Sequence, residues 1–369
     1  MRYKYKVYNS WDGIGKKKEW PNFKYAGNLL KKYESTFLYN SGVFLGTLKH
    51  IITKEKKLLS IEIICEEALK TSKIEGEILN RDSLQSSIRK NFGLKTDRRK
   101  IPPAEQGIAE MMIDLYQNYA KPLNHKTLLK WNSLITNGKN YRTSEEPMQI
   151  VSGSIYNPRV HFEAPPFDKL HHEMNAFIEW FNITNPKGKV PLSPLVRAGI
   201  AHLYFVCIHP FEDGNGRIAR ALAEKSLSQS LGQPSLISLS KIIEKQRKKY
   251  YSALDASNKE LEITNWLDYF SQTILEAQNY SQKMIEFLIK KARFYEKYKP
   301  LLNSRQEKVI ARIFQEGFGE FKGGLSAENY LSITGTSRAT ATRDLQDLAE
   351  KNILSQKGQL KSTRYYLNL

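Results

Sequence analysis

The residues best suited to chemistry lie in one run, His209-Pro210-Phe211-Glu212-Asp213-Gly214-Asn215-Gly216-Arg217-Ile218-Ala219-Arg220. His209 is the one side chain in it able to take a proton near neutral pH. Arg217 and Arg220, three apart, share a helix face, and their planar donor forks suit phosphate oxygens. Asp213 offers the hard oxygen that Mg²⁺ prefers when it also meets substrate phosphates. Gly214, Asn215 and Gly216 present successive backbone N–H groups at a helix start, a concave anion site with dipole support. Together these describe transfer from a nucleotide, with His209 as general base toward an incoming hydroxyl.

Such side chains need a helix on each side of a tight bend. Pro194 to Ile208 is apolar and reads as a buried helix. Asp213-Gly214-Asn215-Gly216 is a dense turn signal, because Gly and Asn accept backbone angles that other residues avoid. From Arg217 to Leu231 the pattern is helical again, with Ile218, Ala221, Leu222 and Leu227 interleaved with charge. At average frequencies, nine specified residues in twelve positions arise by chance on the order of once in 10¹² starts.

The string resembles, residue for residue, the H-P-F-x-[D/E]-G-N-G-R-x-x-R motif of Fic-domain proteins. The resemblance implies a mainly α fold, the helical Fic core with a β-hairpin flap, and transfer of AMP from ATP onto a Ser, Thr or Tyr hydroxyl of a protein, itself included. By the same resemblance His209 deprotonates the acceptor and Asp213 holds Mg²⁺ on the α- and β-phosphates. Gly214, Asn215 and Gly216 form the anion hole, and Arg217 and Arg220 grip the phosphates, Arg220 the γ-phosphate. Doc-type relatives carry Lys where this chain has Gly216 and transfer phosphate, so Gly216 favours nucleotidyl transfer.

A helical pattern spans Leu58 to Leu79 and contains Thr71-Ser72-Lys73-Ile74-Glu75-Gly76. This is similar to the [S/T]-x-x-x-E-[G/N] inhibitory motif of regulated Fic proteins, and it lies upstream of the core as in that class. The implied mechanism is electrostatic: the Glu75 carboxylate occupies the Arg220 fork that should hold the γ-phosphate. ATP then binds in the wrong pose for in-line attack. The same pocket, with Glu75 positioning a water, is also compatible with removal of AMP from a modified target. The competing reading is a helix that ends near Gly76 with an ordinary surface Glu.

Met148 to Val151 and Val160 to Glu163 flank turn residues and read as a hairpin. In the Fic family this is the flap that holds the acceptor segment by backbone pairing. Near Lys248-Lys249-Tyr250-Tyr251 relatives line the adenine, so Tyr250 or Tyr251 is either a stacking partner or core packing.

The 369 residues suit two or three domains, and a 40% hydrophobic, 26% charged composition suits a soluble protein with a real core. Residues 1–50 read as an accessory segment, with a strand over 3–8, an aromatic cluster including Trp11 and Trp20, and a helix from Leu29 to Leu48. The segment is similar to an uncharacterised domain found ahead of Fic domains. Residues 51–299 read as the Fic core and 300–369, after Pro300, as a separate unit. That unit shows three helices and an alternating Ile353–Leu369 pair of strands, and resembles a winged helix-turn-helix. Ser337, Arg338, Thr340 and Arg343 lie on its candidate recognition helix. DNA binding and protein docking or dimerisation, including a homodimer, are both open for it. One alternative for the whole chain is a DNA-binding regulator that uses the Fic core as a nucleotide sensor.

The formal charge is +19, but it sits mainly at the front, with 22 Lys and Arg against 11 Asp and Glu in residues 1–100. That surface attracts nucleic acid or acidic partners, or is simply solvated. There is no apolar run of about 18 residues for a membrane span and no apolar leader at the start. Cys65 and Cys207 sit in apolar sequence, as reduced structural thiols do. A cytoplasmic location is expected.

Overall fold

The computed structural model describes residues 14–49, 51–97, 99–146, 148–154, 157–315, 323–359 and 362–368. The strand expected over 3–8 and Trp11 lie outside the described residues, as do Ile155 and Tyr156 of the hairpin tip. The architecture is mainly helical. The chain divides into two units, residues 1–281 and 282–369.

The first unit opens with α1 (Gly27–Lys49), α2 (Thr53–Ile74), α3 (Arg81–Asn91), α4 (Pro103–Gln117) and α5 (His125–Thr136). An antiparallel hairpin follows, β1 (Gln149–Ser154) and β2 (Asn157–Glu163). Its register runs from Gln149 opposite Glu163 to Ser154 opposite Asn157, with an irregularity between Ile150 and Val151. Then come α6 (Phe167–Ile183), α7 (Pro194–Ile208), α8 (Asn215–Leu231), α9 (Leu239–Lys245), α10 (Arg247–Ser257) and α11 (Thr264–Tyr298), the last crossing the division between the units.

At the centre are α7 and α8. Every residue of α7 except Pro194 and Val206 is buried, which is why its sequence lacks a polar stripe. Gly199 lets α11 come close: a Cβ there would meet Leu267 Cδ2 at 2.6 Å, and Trp266 Nε1 donates to the Gly199 carbonyl at 2.8 Å. Buried Arg197 ties three helices together, donating to the Phe181 carbonyl (2.7 Å), Ser226 Oγ (3.2 Å) and Gln229 Oε1 (2.8 Å). Cys65 and Cys207 are buried and unpaired by any disulfide.

The helix expected over 58–79 begins at Thr53 and ends at Ile74. Its end is a Schellman motif: Gly76, at φ +88°, donates to the Lys73 carbonyl (3.0 Å) and Glu77 to the Ser72 carbonyl (3.0 Å). A glycine in the left-handed region stops the helix, so Ile78 leaves its face and is exposed.

The second unit contains α12 (Ser304–Gln315), α13 (Ala327–Thr334), α14 (Arg338–Glu350) and the antiparallel pair β3 (Leu354–Lys357) and β4 (Arg364–Leu367). It starts nearer 282 than the boundary expected at 300, and the reason is packing. Phe287, Phe294, Tyr295 and Tyr298 of α11 join the core built by Val309, Ile310, Tyr330, Leu345 and Leu348. Pro300 ends the helix inside the second unit, not at its boundary.

Candidate active site

His209 caps the C-terminus of α7 in the left-handed region, at φ 51° and ψ 59°, and its N–H donates to the Phe205 carbonyl at 3.0 Å. Such a backbone costs on the order of 1–3 kcal/mol for a non-glycine residue and persists where surroundings enforce it. Two contacts do so: Arg142 Nε donates to the His209 carbonyl (2.9 Å), and the Arg142 N–H donates to the Pro210 carbonyl (2.9 Å). The His209 ring tilts against Phe162 of β2, centroids 5.8 Å apart. Burial, reinforced by the Arg142 charge, lowers its pKa to about 4 against the pull of the Val206 carbonyl, Glu75 and Asp213. At neutral pH the imidazole is therefore uncharged and able to accept a proton.

The bend after it is held from three sides. Asn132 of α5 donates from Nδ2 to the Asp213 carbonyl at 2.7 Å, and the Gly214 N–H donates to Asp213 Oδ1 at 2.7 Å. Gly214 sits at φ +90°, where a side chain would also crowd Asn132 and Thr136. The Asn215 side chain clamps both backbone groups of Phe211, accepting its N–H (3.0 Å) and donating to its carbonyl (2.7 Å). Asn215 thus shapes the loop with its side chain and leaves its backbone N–H to the start of α8, where the first N–H groups have no intrahelical acceptor.

Over that helix end lies a cradle of guanidinium groups and bare backbone. Arg220 is 1% exposed; its Nε donates to Thr71 Oγ1 (2.7 Å) and its Nη2 to the Thr71 carbonyl (3.1 Å) and to Glu75 Oε1 (2.7 Å). Burial works against its charge, but the Glu75 carboxylate prevails and raises its pKa. Thr71 and Glu75, chosen from sequence by motif alone, thus both reach Arg220. A Cβ on Gly216 would collide with the Glu75 carboxylate. Arg220 Nη1 and Arg217 Nε are buried donors without an acceptor. Orphan donors beside a glycine whose missing Cβ leaves room for a carboxylate fit an anionic group such as a phosphate.

Arg217 carries a pairing that the motif does not contain. Its Nη1 donates to Glu77 Oε2 at 2.9 Å, and its Nη2 lies 3.4 Å from Asp213 Oδ2. Both phosphate-facing arginines are therefore held by acids of the segment that follows α2. Glu77, Arg142 and Asn132 are functional candidates that sequence reasoning missed. Glu77 stands two residues past Glu75, which is the only local signal; Arg142 and Asn132 carry none.

Asp213 is 67% exposed at its side chain, and its outer oxygen has only the long contact with Arg217. Among the described residues no three His, Cys, Asp or Glu side chains are grouped to hold a metal. One exposed carboxylate beside a phosphate cradle suits Mg²⁺, which keeps waters and substrate oxygens as its other ligands.

Of the two tyrosines, only one remains available to a base. Tyr250 is 2% exposed, and its hydroxyl meets His202 Nε2 at 3.1 Å in the core beneath Arg220. Of the two readings open for Tyr250, stacking on adenine is replaced by core packing, because its position on α10 turns it inward. Tyr251, at 42% exposure, lies within the electrostatic reach of Glu75 and Arg220, with the Arg247 guanidinium 5.7 Å from its ring.

Residues 122–227 match the model of the Fic/DOC family, and residues 14–94 match a domain of unknown function, DUF4172. The chain is 31% identical over 113 residues to Protein adenylyltransferase fic-1 of Caenorhabditis elegans, covering 31% of this chain and 20% of that protein. It is 35% identical over 94 residues to Protein adenylyltransferase Fic of Nematostella vectensis, covering 26% of this chain and 20% of that protein. The matched stretch spans about a fifth of the length of these relatives. In fold it is similar to a Fic family protein from Desulfovibrio desulfuricans G20, with a TM-score of 0.51, 18% identity, and coverage of 94% of this chain and 98% of that one. A Fic domain containing signaling protein from Bacteroides thetaiotaomicron gives a TM-score of 0.51 at 19% identity, covering 69% and 97%.

Proposed function

We propose that this chain, which carries a Fic domain over residues 122–227, is a protein adenylyltransferase restrained by its own Glu75. The observation that carries the reading is the pair of Arg220 contacts at 2.7 Å, to Thr71 and to Glu75, whose carboxylate lies against Gly216 where a Cβ would stand. In the reaction the acceptor hydroxyl gives its proton to His209 while its oxygen attacks the α-phosphorus of ATP. The bond from that phosphorus to the β-phosphate oxygen breaks, leaving AMP on the acceptor and pyrophosphate free. Arg217, Arg220 and the first N–H groups of α8 stabilise charge on the phosphates. Mg²⁺ held by Asp213 would neutralise further phosphate charge. The hairpin β1–β2, whose Phe162 touches His209, is placed to present a Ser, Thr or Tyr segment by strand pairing.

With Glu75 on Arg220 the γ-phosphate loses its fork, and ATP lies out of line for attack. In this reading the same carboxylate also holds a water for removal of AMP from a modified target. Incubating the full chain with ATP labelled on the α-phosphate tests the reading: Glu75→Gly raises self-labelling, and adding His209→Ala to it abolishes labelling while nucleotide binding persists. Flat labelling in Glu75→Gly removes the restraint, and labelling that survives His209→Ala removes the base.

A DNA-binding role rests on the second unit, where Ser337 caps α14 and is exposed together with Arg338 and Arg343 of that helix, while Thr340 is half-buried. Arg338 is shared with Glu328 at 3.0 Å, which tempers its charge. A gel shift of the full chain at two salt concentrations, repeated with Arg343→Ala, tests it: binding that weakens with salt and with the substitution supports DNA as partner, and no shift at low salt rejects it.

A further inference from the structure

We propose that Arg142 is the positioning residue of the His209 base, a clamp that ties the catalytic loop to the exit of the hairpin that presents the acceptor. The inference rests on the reading of His209 as base given above. Arg142 is 4% exposed and stands in the loop between α5 and β1. It makes three bonds to backbone carbonyls of two separate segments. Its N–H takes the Pro210 carbonyl (2.9 Å) and its Nε the His209 carbonyl (2.9 Å), while its Nη2 takes the Pro165 carbonyl just past β2. Its neighbour Tyr141 lies on Phe211, centroids 5.2 Å apart, so the loop grips the motif at three consecutive residues.

Each bond answers a specific need. A helix that ends in a left-handed histidine leaves carbonyls turned away from the helix, and buried carbonyls require donors. A guanidinium has donors on both edges of one plane, so one side chain satisfies carbonyls from two directions at once. A lysine reaches one of them. The clamp holds His209 in its strained conformation and also fixes the distance between that ring and the end of β2. Since β2 carries Phe162 against the same ring, acceptor strand and base move as one body. None of these bonds touches the phosphate cradle, which belongs to Arg217, Arg220 and the start of α8.

The role therefore predicts a split between chemistry and nucleotide affinity. In the Glu75→Gly background, Arg142→Met lowers the first-order self-labelling rate at saturating ATP by about 10²-fold, the loss expected for a misplaced reacting group. ADP affinity by calorimetry changes by less than about threefold. Arg142→Lys recovers part of the rate, because it keeps one donor and the charge. Crystals of Arg142→Lys, which preserves the fold should the methionine variant not express, show His209 relaxed from φ 51°. A rate equal to the parent's in both variants, or a His209 backbone unchanged in the lysine variant, overturns the proposal. Parent-like labelling in His209→Ala, by contrast, overturns the base itself, and a fall in rate matched by an equal fall in ADP affinity assigns Arg142 to general folding instead.

Discussion

Two arginines and two carboxylates set the resting state of the site at the scale of single residues. Glu75 holds Arg220 at 2.7 Å and Glu77 holds Arg217 at 2.9 Å. The two pairs are buried to a similar degree, but Arg220 is also held by two bonds to Thr71, whereas Arg217 has only a 3.4 Å contact with Asp213 besides Glu77. Removing Glu75 alone leaves Arg217 partly occupied. Adding Glu77→Gln to Glu75→Gly is expected to raise labelling at subsaturating ATP by about 2- to 5-fold, the worth of a solvent-accessible acid partner of about 0.5–1 kcal/mol. The rate at saturating ATP stays the same, since neither change touches His209. An unchanged half-saturating ATP concentration shows that Glu77 does not compete with phosphate.

At the scale of elements, the position of Glu75 depends on how α2 is seated. Glu67, about two turns below Glu75, is buried and accepts from the Ser240 N–H at 2.8 Å and from the Ser240 hydroxyl. Lys73 reaches Glu244 of α9 at 2.6 Å. Beside this seat Glu224 of α8 accepts from Ser235 Oγ at 2.6 Å, and its buried carboxyl also interacts with the buried Tyr116 hydroxyl. Burial pushes the Glu224 carboxyl up to about 8, and the Glu67 carboxyl to about 7. The unfolded chain releases these protons near the ordinary carboxylate value of about 4.3. Protonation in the fold therefore favours the native state below that value, and the advantage fades as pH rises toward 8. Glu224→Gln keeps the bond to Ser235 and cannot ionise. Its melting temperature should match the parent's at pH 5 and exceed it at pH 9 by about 4 °C, roughly what 1–2 kcal/mol is worth at this size. Equal melting curves at pH 9 reject a buried, protonated Glu224.

For the whole molecule, the question is where one unit stops. The aromatic residues of α11 beyond Ser281 belong to the second core, and Phe294 is buried there among Val309, Ile310 and Phe314. A chain ended at 299, the boundary that Pro300 suggests, keeps Phe287, Phe294, Tyr295 and Tyr298 without the side chains that cover them. It should aggregate at concentrations where a chain ended at 281 stays dispersed, as followed by light scattering. Equal behaviour of the two shows that those aromatics do not depend on the second unit. Among the described residues no helix is long and apolar enough to cross a membrane.

Much of this was legible in the residues themselves. Local backbone chemistry is short-ranged, so the Gly214–Gly216 bend, the buried run of α7 and the hairpin at 149–163 could be read from spacing alone. That Arg217 and Arg220 face one way followed from helical periodicity, because positions three apart share a face, while His209 joined them through the motif that spans the bend. Contacts between distant segments could not be read that way. Arg142 lies 67 residues from His209 and Glu77 lies 140 from Arg217, whereas Glu75 and Arg220, 145 apart, were paired in advance only through the resemblance of their motifs. Which carbonyl a buried guanidinium finds, and which of Tyr250 and Tyr251 faces outward, depends on how α2, α10 and the loop before β1 close over α7 and α8. Periodicity determined which helices form and which residue types meet the bend; only the packing of those helices decided which charges stand opposite one another, since burial and distance, not order along the chain, set electrostatic pairing.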